Sequence, residues 1–399
     1  MCLELINQID EHNNNNKRNY DRNDNDNQVE PNKSNRISIQ VGRLNVPIGT
    51  FPSFTSASSS KILHLLSRYN VSIHEGAPNN MPDDEVCLHT ESILKIIDQA
   101  KKTKEEDETR RNKEYSEYER EKHSVSSSTR KPPLFIGFIS GGGSALLALP
   151  KLGLSIQDKI QMIQCMVKAG VNIVELNTIR SALSQVKGGQ LAQKIIRDLD
   201  GDAELVTFII SDIIGDPIEM IASGPTVIIN PVADDKCRPT PLDILQKYQI
   251  NIKPNEKVFQ YLMNYSETIS TKLRTSELLP NIQNVIIGNN TIALEAAKRE
   301  LIMKMNEMKI RSVQIVDCGS RMAGEAEMVV DHMIQRFVDY FGIDEDNDDD
   351  NKIIKMLLSK GYYGVCWLGG GETTVNMMNR DKPDNNNRKN DLSSSFSGN

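Results

Sequence analysis

Five short apolar runs constrain this chain more than any other feature: Leu134–Ile139, Glu204–Ile210, Asn284–Ile287, Ser312–Val316 and Tyr363–Leu368. Runs of this length, apolar almost without alternation, read as strands buried on both faces. The segments between them have helical character. Ser155 with Asp158 three residues later signals a helix start, and Gly170 signals its end. Ile156, Ile160, Ile163 and Val167 would form the apolar stripe of that helix. Further helices are predicted over about 172–185, 291–308 and 324–341. Strands alternating with helices predict an α/β fold with a mostly parallel sheet covered on both faces. No internal repeat is evident.

Four polar segments interrupt this pattern. Residues 1–35 are rich in Asn and Asp and predict a disordered tail. Residues 101–131 mix both charges and predict a solvated helix followed by a Ser-rich loop. The acids of 343–352 lack the spacing and the Gly of a calcium loop, so a repelling surface loop is expected there. Residues 379–399 predict a second polar tail. Most of the net charge of −7 lies in the first and third of these segments, so it gives no reason to expect nucleic acid. No run approaches the roughly 18 to 20 apolar residues of a membrane helix, and the first residues do not form a signal h-region. The six cysteines stand far apart with no C-x-x-C pair, which predicts free thiols in a reducing compartment rather than a zinc site or disulfide framework.

Four motifs carry candidate chemistry. Ser140-Gly141-Gly142-Gly143-Ser144 follows the first strand, where open α/β sheets bind ligands, and its backbone N–H groups suit an anion or a tight turn. It matches neither the Walker nor the G-x-G-x-x-G pattern. In the stretch from Glu175 to Gly189, a helix places Asn177, Arg180 and Ser184 on one side, and Lys187 stands before two glycines expected to end that helix. A solvated face and a lysine complementing the helix dipole read the same residues without a site. Ser211-Asp212-Ile213-Ile214-Gly215-Asp216 puts two carboxylates beyond the second strand, as general base, Mg²⁺ ligand or plain turn chemistry. Leu368 through Val375 is another strand ending in glycines and hydroxyls, or a hairpin turn.

Taken together with Gly153–Lys159 and Ile221–Thr226, these blocks resemble, in order and spacing, glycerate kinases of the MOFRL type, the animal form above all. The resemblance covers about 70–100 and 132–378. It implies a Rossmann-like α/β domain over 36–270, with 101–131 as an insertion. A partial MOFRL-like α/β region over 281–378, with 343–352 inserted, would follow. The activity it implies is ATP-dependent phosphorylation of D-glycerate to 2-phosphoglycerate with Mg²⁺, by alignment and charge neutralisation. Lys187 and Arg180 would neutralise the glycerate carboxylate or the transferring phosphoryl group. Ser140, Gly141, Gly142, Gly143 and Ser144 would hold an anion, and Asn177 would orient the substrate. Asp212 or Asp216 would bind Mg²⁺ or accept the hydroxyl proton.

The family's Gly-Lys-Ala turn and its Gly-Gly-Arg-Asn-Gln-Glu segment have no counterpart in this chain. A first βα unit and most of the second domain are therefore expected to be missing. The alternative is a catalytically silent truncated homologue that at most binds glycerate or nucleotide. Small-molecule substrates, with no nucleic acid and no membrane, are expected; oligomeric state stays open. The expected compartment is cytoplasmic, or mitochondrial if a leader is missing.

Overall fold

A computed structural model describes residues 5, 6, 8–12, 39, 41–48, 57–118, 132–228, 239–253, 256–271, 281–309, 313–341, 359, 361 and 364–374. It forms two compact units, Met1–Asn289 and Asn290–Asn399. The expected insertion 343–352 and tail 379–399 lie outside the described residues.

The first unit contains β1 (Gly42–Pro47), α1 (Ala57–Arg68), β2 (Val71–Gly76), α2 (Asp84–Tyr118), β3 (Leu134–Ile139) and α3 (Gly143–Leu146). It continues through α4 (Ile156–Lys168), α5 (Ile173–Ala182), α6 (Gln190–Asp198), β4 (Glu204–Ile210), α7 (Pro241–Lys247), α8 (Lys257–Thr271) and β5 (Ile282–Gly288). Strands β1 and β2 pair in parallel, and β3, β4 and β5 form a second parallel sheet in that order. Leu134 pairs with Glu204 and Leu205 with Ile282, so the carboxyl ends of the three strands share one edge.

One face of this sheet is packed. Leu205, Thr207 and Ile209 are buried, and Leu205 joins Leu94 and Ile97 of α2 with Ile195 of α6 in a common core. A second core unites α4, α5, α7 and α8 through Met166, Ile179, Ile244 and Leu262. The opposite sheet face is open: Leu134, Ile136, Ile210, Val285 and Ile287 are exposed. Helical cover on both faces, expected from the apolar runs, is thus met on one face only among the described residues.

Local chemistry sets the helix starts. Ser155 and Asp158 form a full capping box on α4, Asn172 caps α5 by accepting from the Glu175 N–H at 3.0 Å, and Thr240 with Asp243 caps α7. Three expectations are corrected. The helix predicted over 172–185 ends at Ala182, because Ser184 and Gln185 are drawn to Leu149 and Pro150 by tertiary hydrogen bonds. The stripe of α4 is Ile156, Lys159, Met162 and Met166, while Val167 is exposed. The first residues are not wholly tail: Ile6 and Ile9 are buried against Leu66, Tyr69 and Val71, and Asp10 pairs with Arg68 at 2.6 Å. Of 101–131, residues to Tyr118 complete α2, with i,i+4 pairs such as Lys101–Glu105; 119–131 lie outside the described residues.

The second unit holds α9 (Asn290–Glu307), β6 (Val313–Asp317), β7 (Met322–Glu325), α10 (Ala326–Phe341), β8 (Gly364–Leu368) and β9 (Gly371–Thr374). Strand β6 pairs with β8 and β7 with β9, both in parallel. The glycines after Leu368 therefore lead into a further strand and make no hairpin.

Candidate active site at the carboxyl ends of β3 and β4

The glycine loop after β3 is a tight helical turn. The N–H groups of Gly143, Ser144 and Ala145 donate to Ser140, Gly141 and Gly142 at 2.9, 3.2 and 3.2 Å. Two of the N–H groups expected to cradle an anion, those of Gly143 and Ser144, are thereby used, and Gly141 and Gly142 do not donate in these turns. Gly141 is required for another reason. A Cβ there would lie 1.4 Å from Oδ2 of Asp212, so the exposed Asp212 carboxylate rests on the bare backbone of the loop.

The loop after β4 gives its two acids different partners. Ser211 Oγ accepts from the Ile213 N–H at 3.3 Å and donates to the Ile213 carbonyl at 3.1 Å, which turns the chain away from the strand. Asp216 follows in the left-handed region, φ 54°, and its carboxylate accepts from Asn289 Nδ2 at 2.6 Å. No cluster of three or more His, Cys, Asp or Glu side chains suited to a metal occurs among the described residues. Mg²⁺ needs only one or two carboxylates beside substrate phosphates. Asp212 fits that demand, whereas Asp216 is committed to Asn289.

The third wall is Ile221–Thr226. Ala222, Ser223 and Gly224 take consecutive φ values of 52°, 62° and 56°; for the two residues with a Cβ this costs about 1 to 3 kcal/mol each. The strain turns the Ser223 hydroxyl to donate to Asn177 Oδ1 at 3.0 Å, the same oxygen that accepts from Arg180 at 3.2 Å. It also presents backbone carbonyls to the segment between α5 and α6. Gly188 N–H donates to Ser223 O at 2.8 Å and Gly189 N–H to Gly224 O at 2.7 Å.

Lys187 lies inside that segment, where the sequence suggested a helix end. It is 1% exposed, and its Nζ donates to the carbonyl of Ala222 at 3.1 Å and, more weakly, of Gly143 at 3.5 Å. Burial drives its pKa well below the usual lysine value, and the charges of Lys159 and Arg180 push the same way. Arg180 is likewise lowered by burial. Among the described residues neither has a carboxylate partner. The structure thus joins Lys187 to Gly143 and Ala222, Asn177 to Arg180 and Ser223, Asp212 to Gly141, and Asp216 to Asn289. Ser184 does not share the polar face; it is buried and accepts from the Lys187 N–H at 3.3 Å. Sequence reasoning missed Ser223 and Lys159 as site neighbours. For Lys159 the signal was its place three residues after Ile156 on the buried side of α4. Two surface grooves, one against α1 and β2 and one between α2 and α6, are lined by none of Arg180, Lys187 or Asp212.

Residues 118–263 match a family described as a domain of unknown function, DUF4147. A glycerate kinase of Danio rerio is 30% identical over 367 residues, 86% of this chain and 63% of that protein. A human glycerate kinase is 32% identical over 263 residues, 65% and 41% of the two chains. A glycerate 2-kinase of Pyrococcus horikoshii is 38% identical over 178 residues, 44% and 38%. This chain is a glycerate kinase homologue. The homologue spans under two thirds of the length of each of these relatives. Its fold is similar to the crystal structure of a glycerate kinase from Thermotoga maritima, with TM-score 0.52 at 20% identity over 94% of this chain and 74% of that one. The homologue accordingly has the α/β architecture with parallel sheets that its sequence predicts.

Proposed function

We propose that this glycerate kinase homologue transfers the γ-phosphoryl group of ATP to D-glycerate, giving 2-phosphoglycerate, at the carboxyl ends of β3 and β4. The observation that carries the reading is Lys187: an almost wholly buried amino group, without an acid partner among the described residues, bridging the loops that follow β3 and precede α7. Stability alone gives no reason to bury such a charge, whereas a reaction that gathers negative charge does. Phosphoryl transfer gathers charge on the moving group and asks the protein for alignment and neutralisation. Lys187 and Arg180 supply the positive charge. Asn177, held by Arg180 and Ser223, orients the substrate. Gly141 and Gly142 offer their N–H groups to an oxyanion. Asp212 is the carboxylate that would hold Mg²⁺, which would supply positive charge for the nucleotide phosphates. Asp216, engaged by Asn289, shapes the loop.

The test is turnover of ATP and D-glycerate by the full chain, with product identified by mass and by a 2-phosphoglycerate-specific coupled assay. Lys187→Met and Arg180→Met are expected to lower kcat/KM at least a hundredfold with little loss of melting temperature. Absent turnover, with calorimetric D-glycerate binding retained, would leave a non-enzymatic binding module instead.

A further inference from the structure

Lys159 is the buried cation that the proposed reaction does not use. It is 5% exposed, and its Nζ has no hydrogen-bond partner among the described residues. Its neighbours on α4, Ile156 and Ile160, pack on Ala145, Leu146 and Ala148, which directly follow the glycine loop. Lys159 therefore sits beneath the turn whose Gly143 carbonyl meets Lys187. The charged and titratable groups that act on it are Arg180 of α5, Lys151 of the loop before α4 and Cys87 of α2, and it acts in turn on Lys187. Three are cations. The fourth, the Cys87 thiol, is pushed up to about 11 by burial and is neutral at ordinary pH. A cluster of like charges in a low-dielectric interior, one with every proton unmatched, lacks an anion.

We propose that Lys159 is the inner anchor of an oxyanion site that it forms with Lys187 and Arg180, taking a carboxylate or a phosphoryl group from solution. The site does not depend on the kinase reading; only the naming of the anion as part of D-glycerate or ATP rests on it. An anion seated there matches the three cations and gives the Lys159 ammonium the acceptor it lacks. Burial lowers the Lys159 amine to about 8, so near that pH an incoming anion must bring a proton with it. Lys151, hydrogen-bonded to Gln190, adds long-range attraction only.

Isothermal titration calorimetry at pH 8.5, in two buffers of different ionisation heat, tests this on the full chain. Sulfate stands in for a phosphoryl group and D-glycerate supplies a carboxylate, and neither titrates in this range. Binding of at least one with net proton uptake is expected, and the stronger binder names the anion. Lys159→Met should weaken that binding tenfold or more and remove the Lys159 share of the uptake, leaving only what Lys187 takes up, while the unliganded variant melts no lower than the parent. Lys159→Arg should restore affinity with the proton uptake still below that of the parent. Wild-type binding without proton uptake, or unchanged affinity in Lys159→Met, overturns the proposal. If sulfate binds as expected but D-glycerate neither binds nor turns over, the kinase reading fails and the oxyanion site stands. If D-glycerate turns over normally in Lys159→Met with unchanged anion binding, the oxyanion site fails and the kinase reading stands.

Discussion

Gly141 and Asp212 show how one missing Cβ positions a charge. A methyl group at Gly141 would take the space of the Asp212 carboxylate, so Gly141→Ala should displace that carboxylate and lower kcat at least tenfold. Circular dichroism should show an unchanged fold, and the apparent Mg²⁺ requirement should rise; an unaltered Mg²⁺ titration would remove Asp212 from the metal. The buried lysines make a second prediction, about pH. The unfolded chain holds the Lys159 proton up to about 10.5 and the folded one only to about 8, so between these values the unfolded state binds more protons. Stability must therefore rise with pH above about 8, by on the order of 3 kcal/mol if Lys159 acted alone. Cys87 opposes it above about 9, its thiol being held protonated to about 11 in the fold. Thermal melts from pH 7.5 to 9 should climb for the parent and stay flatter for Lys159→Met. Glycines, serines and acids after apolar runs are local signals, and they located three of the loops. Lys159 and Ser223 were hidden because their meaning lies in what faces them. Ser223 meets Asn177 forty-six residues away, and no local pattern encodes that distance.

At the scale of elements, α5 carries Asn177 and Arg180 and is anchored by one buried acid. Glu175 accepts from Lys247 at 2.7 Å and Tyr248 at 2.8 Å across to α7, and from Asn172 at its own N-cap. Burial raises its pKa, but these hydrogen bonds outweigh burial and hold the carboxyl below its usual 4.5. That stabilisation is complete above the unfolded value and is lost as pH falls through the folded one. Glu175→Gln should cost about 1 to 3 kcal/mol in urea denaturation at pH 7. If α5 keeps its place through Glu175, KM for the anionic substrate should rise as well. Stability lost with KM unchanged would confine Glu175 to packing. The five strands read from continuous apolar runs lie within about two residues of their expected positions, because such runs leave little choice, whereas β1, β2 and β7 lack such a run and were not read. The end of α5 was not legible either, since helical propensity continues past Ala182. There the chain leaves the helix so that Ser184 can bind Leu149 and Lys187 can reach two carbonyls.

At the scale of the whole molecule, the sheet β3-β4-β5 is packed on one face and, among the described residues, bare on the other. Sequence alone does not reveal this asymmetry, because the runs are apolar on both sides of the strand. An uncovered apolar sheet face favours association. Ile136→Lys combined with Val285→Lys should shift sedimentation toward the monomer and change stability by no more than about 0.5 kcal/mol. A loss well beyond that would mean that another part of the molecule covers the face. The parallel pairing has a further consequence, in time rather than in space. Joining Leu134 to Glu204 and Leu205 to Ile282 means closing two loops of roughly seventy residues each before a strand contact forms. The hydrogen bonds within each of the helices α4 to α8 join residues four apart and have no such delay. Refolding from denaturant should therefore separate into fast recovery of helical signal and a slower phase, in the range of milliseconds to seconds, as the sheet closes and Gly143 and Ala222 come together around Lys187.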